Sequence, residues 1–139
     1  MTTDAMTPYA VLLLRVSLGV MALAHGLLKV FVFTIPGTVG FFESLGYPGV
    51  LAYVVIAAEL LGGAALIAGI QVRLVSLALI PIMLGATMTH AGNGWVFSNE
   101  NGGWEFPAFW TVTLAVQAML GGGAWQVRFP ALNAKVARA

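Results

Sequence analysis

The sequence has no cysteine, which removes disulfides, thiol catalysis, iron–sulfur clusters and cysteine zinc sites. It is also poor in charge. Six Lys/Arg and five Asp/Glu make up 8% of 139 residues, against roughly 25% in an ordinary soluble domain. So few charged side chains do not cover the outside of a soluble fold. A chain that is 60% hydrophobic is not disordered either. The net charge of +1 gives no strong attraction to nucleic acid, and no such partner is expected. There is no phosphate loop, nucleophile elbow or dinucleotide fingerprint, and there are no repeats or low-complexity tracts. What remains is an integral membrane protein, a single membrane domain over 1–139 with the lipid bilayer as its first partner.

A membrane helix needs about 20 mostly apolar residues, and four such stretches are present. They run over about 8–33, 50–70, 72–91 and 107–127. All are too long for the strands of a small barrel and lack its period-two alternation. The fold expected is therefore all-α, a four-helix membrane bundle. The first stretch reads as a span rather than a cleaved signal peptide. Ala22-Leu23-Ala24 mimics a cleavage site, but Asp4 and no Lys or Arg precede the apolar run, and Arg15 interrupts it.

Basic residues set the orientation. Arg73 lies between spans two and three, and Arg128, Lys135 and Arg138 follow span four. The loops over 34–49 and 92–106 hold neither Lys nor Arg. The positive-inside rule then puts both termini and the tail over 128–139 in the cytoplasm and the two loops outside. Trp95, Trp104 and Trp125 suit interfacial belts. Gly40–Gly46 fits a short interfacial helix, with Phe41, Phe42 and Leu45 on one face and Gly46 ending it. Small residues form stripes at Ala58, Gly62, Ala65 and Gly69, and at Ala118 and Gly122, where helices are expected to touch.

Ionisable groups inside spans are costly, so each is a functional-site candidate. A rise of about 1.5 Å per residue puts Arg15 about 10 Å along span one and Glu59 about 14 Å into span two, both near mid-membrane. His25, Lys29, His90 and Glu105 gather near the outer boundary. His25 and Lys29 share a helix face, and Arg15 falls within about 80° of both. The opposite sector, with Leu13, Val20 and Leu27, is free to face lipid. Arg15 and Glu59 are expected to pair, about 6 Å apart in depth, because a pair is cheaper in lipid than either ion alone. Structural roles stay open beside these. Arg15 and Lys29 can snorkel, Glu105 can stabilise the start of span four, and His90 can bond a loop carbonyl.

Two histidines, a lysine and a carboxylate at one face suit a quinone. Histidine bonds its carbonyl oxygens, lysine stabilises a developing anion, and the carboxylate exchanges protons with water. The same histidines suit the two axial positions of a haem. His25, His90 and Glu105 would also make an open three-ligand zinc site, although no metal is expected.

The run Leu12-Leu13-Leu14-Arg15-Val16-Ser17-Leu18-Gly19, followed by Ala24-His25-Gly26-Leu27-Leu28-Lys29, resembles the first-helix signature of the DoxX family. The resemblance continues through Glu59-Leu60-Leu61-Gly62-Gly63, Gly69-Ile70-Gln71-Val72-Arg73, His90 and Glu105-Phe106-Pro107. It extends from Pro8 to Val127. Members of that family are small four-helix proteins of the bacterial inner membrane, with relatives tied to quinone and thiol redox chemistry. The resemblance implies a redox role here, with motif positions at Arg15, His25, Gly26, Lys29, Glu59, Gly62, Arg73, His90 and Glu105. The chain departs from the family at Gly121–Val127, where many relatives carry a Ser-Leu-Asp-type segment.

The expectation is a quinone-binding membrane subunit of an oxidoreductase system. His25, Lys29, His90 and Glu105 hold the ligand, Arg15 and Glu59 form the ionic core, and Gly26 and Gly62 let helices pack. A homo-oligomer is left open. The alternatives are a haem-binding electron carrier using His25 and His90, a non-catalytic anchor or assembly factor, and a proton-coupled transporter built on Glu59. The last lacks the broken helix pair or inverted repeat it would need.

Overall fold

The structure, a computed structural model, describes residues 3–127. The expected tail, with Arg128, Lys135 and Arg138, lies outside the described residues. Long apolar runs in lipid must satisfy their own backbone, and they do so as helix. The helices are α1 (Thr3–Phe31), α2 (Ile35–Ser44), α3 (Val50–Ala68), α4 (Val72–His90) and α5 (Glu105–Leu120), with a 3₁₀ turn at Ala91–Asn93. Among the described residues no strand forms, and Ile70 and Val127 make an isolated parallel bridge. Three helical stretches, Asp4–Phe31, Val50–Ala68 and Val72–Asn93, are long and apolar enough to cross a membrane. Leu13, Val20 and Leu27 of α1 are exposed, as are Leu61, Leu74 and Phe109 on other helices. Apolar exposure on every side suits lipid as solvent.

α1 and α3 pack antiparallel and very close. A Cβ on Gly63 would lie 2.6 Å from the Leu23 nitrogen and 2.8 Å from the Gly19 carbonyl oxygen. Only glycine permits that approach. Gly26 packs against Leu60 of α3, whereas Gly62 faces Leu79 of α4. The core between the helices is Leu18, Ala22, Leu66, Val72, Leu79, Met83, Trp110 and Leu114.

α2 starts earlier than its apolar face suggested. Thr34 caps it, its Oγ1 accepting from the Gly37 N–H, and Pro36 occupies the first turn. Gly46, at φ 84°, follows its end, as a left-handed glycine should. Buried Thr38 ties α2 to α1, donating from Oγ1 to the Lys29 carbonyl at 3.1 Å.

The apolar stretch over 107–127 is not one helix. α5 stops at Leu120, because Gly121 and Gly123 take φ values of 84° and 67° that favour glycine. Residues 121–127 then turn back across the end of the bundle. The Ala124 N–H donates to the Pro8 carbonyl at 2.9 Å and the Val127 N–H to the Gly69 carbonyl at 3.1 Å. Gly122 therefore lies outside any helix, and the stripe expected from Ala118 to Gly122 does not form. The bundle has two unlike ends. Residues 3–8, the α3–α4 turn and residues 121–127 form the terminal end, and α2 and residues 91–104 form the loop end.

Candidate functional site

Glu59 is 2% exposed, in the middle of a helix that supplies no cation of its own. Its partner is Lys29, not Arg15. The Lys29 ammonium donates to both carboxylate oxygens at 2.8 Å. The expected Arg15–Glu59 pair fails on register. With Gly19 beside Gly63, the residue level with Arg15 is Gly69, about 15 Å along α3 from Glu59. Counting depth from each helix start missed this, because α1 and α3 do not begin at matching levels.

His25 stands one turn before Lys29 on the same face. Its Nδ1 lies 2.8 Å from the Met21 carbonyl oxygen. A carbonyl only accepts, so Nδ1 carries the proton and Nε2 is left to meet a ligand. α5 supplies aromatic walls. Phe106 stacks on the imidazole with ring centres 6.1 Å apart, and Trp110 meets it edge-on at 4.9 Å. The indole Nε1 of Trp110 is buried and has no hydrogen-bond partner among the described residues. Such orphans are rare and call for an explanation.

His90 and Glu105 serve a different neighbourhood. His90 Nδ1 lies 3.5 Å from Asn93 Nδ2, and Asn93 donates onward to the carbonyls of Asn101 and Gly102. Glu105 Oε1 accepts the Phe97 N–H at 2.9 Å. Both side chains thus fasten the loop over 91–104, where Trp95 and Trp104 meet edge-on at 4.5 Å. The four residues expected to share one site fall into His25 with Lys29 and His90 with Glu105, with Phe106 linking the two through the start of α5. The three-ligand zinc arrangement is not assembled, since among the described residues no three His, Asp or Glu converge as a metal requires.

Arg15 sits at the terminal end, 1% exposed. It donates from Nη1 to the Gly122 carbonyl at 3.0 Å. Gln117 of α5, fully buried, donates from Nε2 to the adjacent Gly121 carbonyl at 2.6 Å. Arg15 Nε, Gln117 Oε1 and Ser76 Oγ are buried without partners among the described residues. Phe106, Trp110, Gln117 and Ser76 were not singled out from sequence. The aromatics read as ordinary apolar filling, and one buried amide or hydroxyl in a span carries no signal of its own.

Fold and site together define a multi-pass membrane protein with a buried, aromatic-walled ionic cluster. The DoxX family profile matches residues 10–92, and the chain belongs to the DoxX family. A relative in Bacillus subtilis (strain 168), described as "Putative oxidoreductase CatD", is 40% identical over 78 residues. That match takes in 56% of this chain and 57% of the relative, a little over half of each. No solved structure matches. Phe106 and Trp110 lie beyond the residues matched to the family.

Proposed function

We propose that the chain is a membrane subunit of a bacterial inner-membrane redox system, binding a quinone-like ligand beside His25 in the loop half of the bundle. α5 is the fourth crossing. Its 16 residues span about 24 Å, and residues 121–127 then cross the terminal end of the bundle. The positive-inside rule, read from Arg73 and from the loops without Lys or Arg, supports an orientation with both termini in the cytoplasm.

The observation that carries the reading is the unpartnered indole N–H of Trp110, buried beside His25. A donor so placed suits a carbonyl oxygen, and the aromatic rings around it suit a flat apolar molecule. A quinone supplies a two-electron, two-proton acceptor with carbonyl oxygens as its only polar groups. Trp110 orients it through one hydrogen bond. His25 Nε2 takes or returns a proton, and the Lys29 ammonium favours negative charge developing nearby. Glu59 fixes Lys29 in place. His90 and Glu105 act on the ligand indirectly, by closing the 91–104 loop over the mouth. The described relative's name, an oxidoreductase, agrees with this reading.

The test is a visible absorption spectrum of the detergent-purified protein, with mass spectrometry of its lipid extract. A colourless protein with stoichiometric quinone, lost in His25→Ala and weakened in Trp110→Phe, is the expected result. A Soret band would replace this reading with a haem carrier. Failure to bind added quinone would replace it with an anchor or assembly factor.

A further inference from the structure

A second site lies at the terminal end, far from His25. An open cleft of about 510 Å³ runs between the start of α1 and the returning segment, lined in part by Asp4, Val11, Arg73, Leu120 and Gly121–Gly123. Charge here is unbalanced. Of the five acidic residues, Glu59 is held by Lys29, and Glu43, Glu100 and Glu105 belong to the loop end. Among the described residues Asp4 is the one carboxylate that lines this cleft, with Arg73. Among the described residues Arg15 has no carboxylate within salt-bridge distance, and its Nε is buried without a partner. A buried cation with no counter-ion is expensive.

The glycine wall of the cleft has a defined polarity. The carbonyls of Gly121 and Gly122 both point inward, to Gln117 and Arg15. No peptide bond here is cis, and across a trans peptide the N–H points opposite to the carbonyl. The N–H groups of Gly122 and Gly123 therefore point away from the buried side chains of Gln117 and Arg15. Successive backbone N–H groups in a glycine turn make an anion-binding concavity. Arg73 closes the arrangement, its guanidinium packed against Gly121 at the 3.2 Å a Cβ there would leave.

We propose that this cleft binds a phosphate group, held by Arg73 and the Gly122–Gly123 N–H groups and favoured by the field of buried Arg15. Two sources share that chemistry, an anionic phospholipid headgroup and free inorganic phosphate. Val11 and Leu120 beside the cleft suit the acyl chains of the first.

The test uses the full-length protein in a neutral detergent and reads thermal unfolding against added phosphatidylglycerol, phosphatidylcholine or inorganic phosphate. A saturable rise in midpoint with phosphatidylglycerol assigns the headgroup, and the same rise with inorganic phosphate assigns the free anion. Either is to be weakened about fivefold in half-saturation by Arg73→Gln and strengthened by Asp4→Asn. Both residues are exposed, so both variants are expected to fold. The proposal is overturned if neither phosphate source gives a saturable shift, if phosphatidylcholine matches phosphatidylglycerol, or if Arg73→Gln changes nothing.

Discussion

Replacing Lys29 by methionine keeps the volume and removes the charge. Glu59, its side chain only 3% exposed, is then left in the bundle with no cation against it. Breaking a buried pair from one side costs about 3–5 kcal/mol. Each kcal/mol moves the midpoint of a domain this size by several degrees, so Lys29→Met should lower it by on the order of 10 °C. Glu59→Met should cost less, because the Lys29 side chain is 19% exposed and can carry its charge toward the surface. In the double variant no buried charge remains at this position, and pairs replaced by apolar residues are often neutral in stability. Arg15→Met removes a cation that no carboxylate among the described residues holds and strands one carbonyl, a cost of about 1–3 kcal/mol. The assay is thermal unfolding in detergent, run as a double-mutant cycle. A double variant no more stable than Lys29→Met would refute the pairing argument. So would an Arg15→Met loss larger than that of Lys29→Met, which is the order an Arg15–Glu59 pair would give.

Gly63→Val should force α1 and α3 apart and cost about 1–3 kcal/mol, read as a lower unfolding midpoint, while Gly85→Ala on the open face of α4, where a Cβ meets nothing within 4 Å, should be silent. Glu105→Ala frees the Phe97 N–H and should speed proteolysis within 95–101, with about 1 kcal/mol lost from the fold. A cysteine placed at exposed Asn99 should react with an impermeant thiol reagent only from outside the cell, and reaction from the cytoplasm alone would invert the proposed orientation.

The helices were legible because lipid leaves the backbone no other partner, and hydropathy reads that constraint directly. The inward sector of α1 was legible too, since Arg15, His25 and Lys29 share it and Leu13, Val20 and Leu27 lie opposite. Pairing was not legible, because it depends on the register between α1 and α3. That register is set by Gly19 against Gly63, and sequence spacing within one helix carries nothing about it. The end of α5 was misread for a related reason. Hydropathy counts Gly121–Gly123 as neutral and continues the span, whereas positive φ at two of them ends it. His90 and Glu105 lie at the loop end, where short-range bonds to Asn93 and Phe97 take their polar atoms.

The order of polar and apolar residues along each helix bears on function. α1, α4 and α5 each carry a polar residue toward either end of the core with buried apolar residues between. α1 has Leu18 and Ala22 between Arg15 and His25. α3 has Leu66 between Glu59 and the turn at Gly69, α4 has Leu79 and Met83 between Ser76 and His90, and α5 has Leu114 between Trp110 and Gln117. The intervening residues are the buried core. A proton or ion moving from Glu59 to the terminal end would cross that layer of buried Leu18, Leu66, Leu79 and Leu114. The arrangement favours the two proposed sites acting separately over a transport path through the bundle. On the proposed quinone reading, the two protons taken up on reduction come from the loop side alone, so quinone-loaded protein in sealed vesicles should alkalise only that side when the ligand is reduced.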